Sequence, residues 1–177
     1  MDKIKLVEKA KEGDKEALIR LIMDQKQDYY KLAYVYMKNE EDALDAMEDM
    51  IVILYESIHK LKNCDVFYSW SKTILVNCCK KNLRKRKRIV SLEDIKEKDK
   101  DKVVEDKLIE DKNNEIMLEN HLSKLSANHQ EVIKLRYFLD LDYETIAKLI
   151  KVPIGTVKSR ISIGIKKLRA SLGGEEF

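Results

Sequence analysis

Seven of the nine residues from Lys80 to Arg88 are basic: Lys80, Lys81, Arg84, Lys85, Arg86, Lys87 and Arg88. A like-charge block of this density either hangs in solvent or meets a polyanion. Read at helical spacing, Thr73, Asn77, Lys80, Lys81 and Arg84 fall at i, i+4, i+7, i+8 and i+11. One helix face would then carry a hydroxyl, an amide and three cations, the groups that hold nucleic acid. A merely solvated basic face is the plainer reading, but the cations are grouped at one end rather than dispersed.

A second set of such groups lies near the C-terminus. From Leu141 to Arg160 two helices meet at a short turn: Asp142 caps the first, Ile146, Leu149 and Ile150 form its buried side, Ala147 allows a close crossing, and Pro153 ends it. In the second helix Val157, Ile161, Gly164, Ile165, Leu168 and Leu172 form one stripe. The other face carries Gly155, Thr156, Ser159, Ser162, Ile163 and Lys166, flanked by Lys158, Arg160, Lys167 and Arg169. Short hydroxyl side chains allow close approach to base edges while cations hold phosphates, so this helix suits the major groove of duplex DNA. A helical hairpin that only packs is the alternative, and the charge placement argues against it.

Catalytic chemistry finds no comparable support. Cys64, Cys78 and Cys79 lack the Cys-x-x-Cys spacing of a zinc site and read as small buried thiols. His59, His121 and His129 are scattered and suit surface or capping roles, and no phosphate loop, nucleophile elbow or His-Glu-x-x-His string is present. The chain reads as a non-enzyme with no cofactor and no metal. Its longest apolar run, Met50 to Tyr55, is too short to span a bilayer, and its start lacks the apolar segment of a signal peptide, so the expectation is the cytoplasm.

The elements that must position these faces are helical. The 177 residues include 5 Gly and 1 Pro, too few to punctuate a sheet protein. Asp14 caps a helix carrying Ala17, Leu18, Leu21 and Ile22. Glu40, Glu41, Asp42 and Asp45 lead into a stripe of Met47, Met50, Ile51, Leu54, Tyr55, Ile58 and Leu61, with negative charge at the end the helix dipole favours. Val52 and Ile53 fall off that stripe, so this helix is either central to a bundle or docks its second face on a partner. After a polar loop, Lys62 to Asp65, helical spacing resumes over Ser69 to Arg86, with Trp70, Ile74, Leu75, Cys78 and Cys79 available for packing.

Ser91 to Glu115 holds ten acids against six lysines, with few apolar residues, and reads as a linker. The remainder to Leu172 holds ten basic residues against five acidic and is patterned like a folded domain. The expectation is an all-α protein of two small helical domains, 1–90 and 116–177, joined by an acidic linker, 91–115, with a helix-turn-helix in the second domain.

These residues resemble the sigma-70 type RNA polymerase sigma factors, in particular the compact extracytoplasmic-function (ECF) group. The resemblance rests on Leu125 to Ile133, Tyr143 to Ala147 and Pro153 to Arg160 in the C-terminal half, and on Gly13, Asp14, Ala17, Asp42, Ala43, Asp45, Tyr55, Trp70, Asn77 and Arg84, in that order, in the N-terminal half. It implies a domain two that docks on core RNA polymerase and opens the −10 promoter element, and a domain four that reads the −35 element as duplex. By position it implies polymerase contact at Asp45, Glu48, Ile51, Val52 and Tyr55. It implies capture of a flipped base at the loop Lys62 to Asp65, with Asn63 and Asp65, beside Asn77, Lys80, Lys81 and Arg84. It implies −35 contact through Thr156, Lys158, Ser159, Arg160, Ser162, Ile163 and Lys166. The implied partners are core RNA polymerase, promoter DNA and an anti-sigma factor, in many members membrane-bound, with a free protein that is monomeric and not itself a membrane protein.

Three positions depart from the family pattern: Glu48 stands where Gln is usual, Lys81 where an acid is frequent, and Ile163 where many members carry a cation. An aliphatic side chain touches a thymine methyl but does not read guanine edges. A stand-alone dimeric helix-turn-helix regulator is the competing reading. It would use Met50 to Tyr55 for self-association and bind a symmetric operator. An RNA-binding or scaffold protein would explain the basic run but not the helix-turn-helix.

Overall fold

A computed structural model describes residues 2–93 and 118–173, so the acidic linker lies, from residue 94 on, outside the described residues. Every regular element among the described residues is helical, and they gather into two compact units, one built on the chain up to Arg88 and one on the C-terminal helices.

In the first unit the sequence writes its own helix starts. Asp2 caps α1 (Lys3–Lys11), its carboxylate accepting from the Ile4 amide at 3.2 Å. Asp14 caps α2 (Lys15–Asp24) by accepting from the Ala17 amide at 3.0 Å, and Gly13, at φ +99°, supplies the left-handed residue that turns α1 into α2. α3 (Lys26–Met37) ends at Lys38, also left-handed, and Asn39 caps α4 (Glu40–Ser57), accepting from the Asp42 amide at 2.8 Å. Two single 3₁₀ turns, Ile58–Lys60 and Cys64–Val66, lead into α5 (Phe67–Glu93), which at 27 residues is about 40 Å long.

The core of this unit is Leu21, Tyr29, Met50, Leu54, Phe67 and Leu75, all fully buried. α5 is held on two sides. Toward α3, Ser71 donates to the Tyr68 carbonyl at 3.0 Å, which leaves Tyr29 to donate its own hydroxyl proton to Ser71 Oγ at 2.7 Å; Lys72 meets Asp28 at 3.3 Å and Tyr68 donates to Asp24 at 2.8 Å. Toward α4, Asn82 donates to Asp49 at 3.2 Å and Arg86 to Asp42 at 2.7 Å. Pairing 24 with 68 and 28 with 72 on one side makes α3 run parallel to α5, and pairing 42 with 86 and 49 with 82 on the other makes α4 run antiparallel to it.

The expected α4 stripe is corrected at two positions. Met47, Met50, Leu54, Ile58 and Leu61 are buried, but Ile51 is 36% and Tyr55 51% exposed, so both belong to the outer face with Val52 at 56%. Of the two alternatives for this helix, the apolar second face is therefore the one that turns outward. Cys78 and Cys79 are buried and free, and burial pushes the Cys79 thiol up to about 12, which leaves it a small neutral packing group.

The second unit begins with helical residues 118–123 (α6), followed by α7 (Ala127–Ile133), one π-helical turn (Lys134–Phe138), α8 (Tyr143–Ile150) and α9 (Ile154–Ser171). Leu122, Leu125 and Ile133 form its apolar centre, with Leu118 and Leu168 packed against them. α7 crosses α9 at Gly164, where a Cβ would stand 2.7 Å from Ile133 Cδ1 and 3.3 Å from His129 Cβ, so the close approach needs a residue without a side chain. The ammonium of Lys134, only 6% exposed, is neutralised by Glu119 at 2.8 Å. His129 meets the Ser126 hydroxyl at 2.9 Å and His121 the Ser171 hydroxyl at 3.0 Å, local packing roles for both.

Burial pushes Tyr29 up to about 12, against a smaller lowering effect of its bond to Ser71. In the unfolded chain this phenol ionises near pH 10. The raised folded value thus contributes stability that is complete below about pH 10 and is lost as pH rises toward 12, on the order of 2–3 kcal/mol. We expect Tyr29→Phe to cost about 1 kcal/mol at pH 8 and to lose less stability than the wild type between pH 9.5 and 11.5. Urea unfolding across that range measures it, and parallel losses in the two proteins would refute the assignment.

Candidate nucleic-acid interface

The face of α5 turned away from α3 and α4 is set by helical arithmetic. Trp70, Ile74, Asn77, Lys81 and Arg84 stand at i, i+4, i+7, i+11 and i+14 and share one line of the helix. Asn77, Lys81 and Arg84 are exposed, while Trp70 and Ile74 are half-buried. The last two are not core, as sequence spacing suggested, but line a cleft of about 510 Å³ together with Ile53, Ser57, Lys60, Leu61 and Lys62. The cleft is apolar in its body, with an indole on one wall and two ammonium groups at its rim. An apolar, aromatic-walled recess beside cations admits a flat polar ring and holds the phosphate attached to it.

Of the loop residues expected to hold a base, Lys62 lines the cleft, and Asn63 and Asp65 are exposed on the same loop. Asn63 accepts from the Asp65 amide at 2.9 Å and so caps the turn Cys64–Val66, while the Asp65 carbonyl accepts from Lys3 Nζ at 3.1 Å. Neither lines the cleft; both fix the shape of the loop that does. Lys3 also stands 4.9 Å from the centre of the Tyr68 ring, tying the first helix to this loop.

The outer face of α4 is a separate surface. Asp45, Glu48, Val52 and Tyr55 fall at i, i+3, i+7 and i+10 and are all exposed, with Ile51 at their edge. Lys15 of α2 rests 5.3 Å from the centre of the Tyr55 ring. Two carboxylates followed by an apolar patch form a surface shaped for a protein partner rather than for a polyanion.

In the second unit Asp142 caps α8, accepting from the Thr145 amide and hydroxyl, each at 2.8 Å. Those bonds, the backbone one foremost, hold its carboxyl below the usual range. α8 ends at Ile150 with Lys151 in the left-handed conformation at φ +58°, so the turn is made there. Pro153 occupies the entry to α9 rather than stopping α8.

Along α9 Val157, Ile161 and Gly164 are buried, and Gly155, Ser159, Ser162, Ile163 and Lys166 are exposed on the opposite side with Lys158. Thr156 and Arg160 are half-buried at the flank, and Arg160 with Lys167 raises the positive potential around His129, which burial already holds below its ordinary pKa.

Sequence reasoning missed two residues here. The Tyr143 ring lies between two cations, with the Arg136 guanidinium 5.4 Å and Lys158 Nζ 6.0 Å from its centre. Arg136, Tyr143 and Lys158 belong to three different helical elements, so no periodicity within one helix joins them.

Comparison with known proteins follows the same division. The family described as "Sigma-70 region 2" matches residues 21–89 and "Sigma-70, region 4" matches residues 121–170. The RNA polymerase sigma factor SigV of Bacillus subtilis is 34% identical over 171 residues, 96% of this chain and 99% of that protein. The ECF RNA polymerase sigma factor SigW of the same organism is 26% identical over 180 residues, covering 95% of each. The fold is shared with the sigma factor RpoE of Bartonella quintana, solved in complex with the anti-sigma factor NepR, at a TM-score of 0.66 and 22% identity over 89% of this chain and 97% of that one.

A phosphate-holding Lys158 carries a definite salt signature. We expect Lys158→Ala to reduce the slope of log affinity against log salt for duplex DNA by about 0.9, whereas Lys151→Ala, in the turn, leaves the slope within 0.3 of wild type, roughly the precision with which such slopes are read. An unaltered slope for Lys158→Ala removes it from the interface.

Proposed function

The chain belongs to the sigma-70 family of RNA polymerase sigma factors, in its extracytoplasmic-function group, and on that footing we propose how its surfaces divide the work of an alternative sigma factor. Residues 1–90 act as the polymerase-binding and −10 domain, 116–177 as the −35 domain, and 91–115 as the linker between them. The observation that carries the proposal is α5: one line of a single helix begins in an apolar cleft walled by Trp70 and ends in uninterrupted cations.

In this reading core RNA polymerase docks on α4 through Asp45, Glu48, Ile51, Val52 and Tyr55. The non-template strand of the −10 element lies along Asn77, Lys80, Lys81 and Arg84. A base unstacked from the duplex enters the cleft, where Trp70 and Ile74 replace its lost stacking and Lys60 and Lys62 hold the adjoining phosphates. Unstacking costs a few kcal/mol, and the cleft together with polymerase contacts offsets it. Asn63 and Asp65, on the same loop, border the captured base, with Asn63 also capping the turn that shapes the loop.

The exposed line Ser159, Ser162, Ile163 and Lys166 of α9 enters the major groove of the −35 element. Arg136, Tyr143 and Lys158 hold its phosphate backbone, with Thr156 and Arg160 at the edge of the contact. The protein works in the cytoplasm beside polymerase as a monomer when free. The co-crystallised anti-sigma factor of its structural relative supports an anti-sigma partner for this chain as well.

Purified protein mixed with core polymerase lacking any sigma should bind saturably and be displaced by the housekeeping sigma factor. Asp45→Ala or Ile51→Glu should weaken binding by about tenfold or more, equivalent to about 1.4 kcal/mol. Binding that is indifferent to both substitutions moves the docking surface off α4, and a homodimer that ignores polymerase favours the stand-alone regulator instead. A second expectation concerns base choice. Ile163→Arg should shift preference toward guanine at one position of the −35 element, read by scanning all single-base changes with the reconstituted holoenzyme, and an identical preference profile would sink the role of Ile163.

A further inference from the structure

The buried side of α3 carries Tyr29, Leu32, Ala33 and Met37, and Tyr36, seven residues after Tyr29, is only half-buried at its margin. The register of α3 against α5 explains where that ring emerges. Asp24, just before α3, meets Tyr68, and Asp28 meets Lys72, each pair 44 residues apart, so the two helices run in the same direction and eight residues further on Tyr36 stands at Lys80, whose Nζ is 6.0 Å from the ring centre. Lys80 follows Asn77 by three residues and precedes Arg84 by four, so it borders the exposed line of α5. An aromatic ring therefore sits at the margin of the cationic face, at the level of its middle rather than at the cleft.

We propose that Tyr36 is a second base-stacking platform for the unpaired −10 strand, on the α3 flank of α5, with Lys80 holding the phosphate of the same nucleotide. The inference rests on α5 being the strand-binding face. Single-stranded nucleic acid is held by aromatic faces alternating with backbone cations, and stacking tolerates any base because every base has a π face. A ring already fixed on one side by the core loses little freedom when a base covers the other. In the free protein Lys80 lies near the ring by cation–π attraction; on binding, its ammonium turns to the phosphate and a base takes the ring. Trp70 and Tyr36 then mark two separate stacking points along one strand, which would fix its direction as well as its position.

The test uses holoenzyme reconstituted from core polymerase and the full chain. The probe is a single-stranded oligonucleotide of the non-template −10 region, from a promoter that this holoenzyme selects out of a randomised duplex library, with 2-aminopurine placed at each position in turn. Tyr36→Leu keeps the buried apolar volume and removes the π face; Tyr36→Phe keeps the ring. We expect Tyr36→Leu to weaken oligonucleotide binding at least about fivefold and to abolish the fluorescence response at one position, with Tyr36→Phe within about twofold of wild type and core-polymerase binding unchanged in both. Tyr36→Trp provides a measurement independent of loss of fold, because the emission it adds over wild type should be quenched when the oligonucleotide binds.

Wild-type behaviour of Tyr36→Leu, or unquenched emission from Tyr36→Trp, overturns the proposal. Asn77→Ala separates the two levels of the argument. If Asn77→Ala loses binding while Tyr36→Leu does not, Tyr36 alone is dismissed; if neither loses it, the strand-binding face on α5 is dismissed with it.

Discussion

Seven cations within nine residues repel one another, and the fold is organised around holding them on one helix. A like-charged segment of that density would not stay helical on its own propensity. It is kept so by what flanks it: the acid-rich α4 lies antiparallel along the charged end of α5, with Asp42 on Arg86 and Asp49 on Asn82. Asp42 serves twice, since its amide is also the group that Asn39 caps to begin α4. Exposed pairs of this kind contribute little singly, but they fix which side of α5 faces the protein. Lys81 and Arg84, outside that contact, are exposed.

The same helix ties recognition to stability at its other end. Ser71 is buried against Tyr29, one residue from Trp70 and three from Ile74, which both line the cleft. A rigid, hydrogen-bonded anchor beneath the recess keeps its indole wall in place without help from a ligand. The acids of α4 also divide by face, with Asp42 and Asp49 turned to α5 and Asp45 and Glu48 outward. One helix can thus brace the cationic face of α5 while turning a different, partly apolar surface outward, because 100° per residue puts neighbours in sequence on different sides.

The C-terminal unit solves a packing constraint first and a recognition problem second. α9 approaches α7 closely only because Gly164 leaves room for Ile133 and His129. With its inner stripe committed to that crossing, the helix has no choice about which residues it shows. The buried Lys134 ammonium, paired with Glu119, stiffens the same region, and Arg136, two residues on, reaches the Tyr143 ring that also lies near Lys158.

What the sequence determined by itself was everything carried by local spacing. The helical class, the caps at Asp14 and Asp142, the buried stripe and exposed face of α9 and the cationic line of α5 all follow from residues three, four or seven apart, since helix geometry converts spacing into direction. Only the tertiary structure decided the rest. Ile51 and Tyr55 fit a buried stripe by period, yet both are exposed on the outer face of α4. Trp70 and Ile74 look like core until the chain before α5 folds back to make them the wall of a cleft. That Asn63 also caps the turn Cys64–Val66, and that the Asp65 carbonyl meets Lys3, is visible only in the folded chain. Tyr36, Arg136 and Tyr143 acquire their neighbours only when helices pair, because contact between distant segments depends on register and crossing, which no local period encodes.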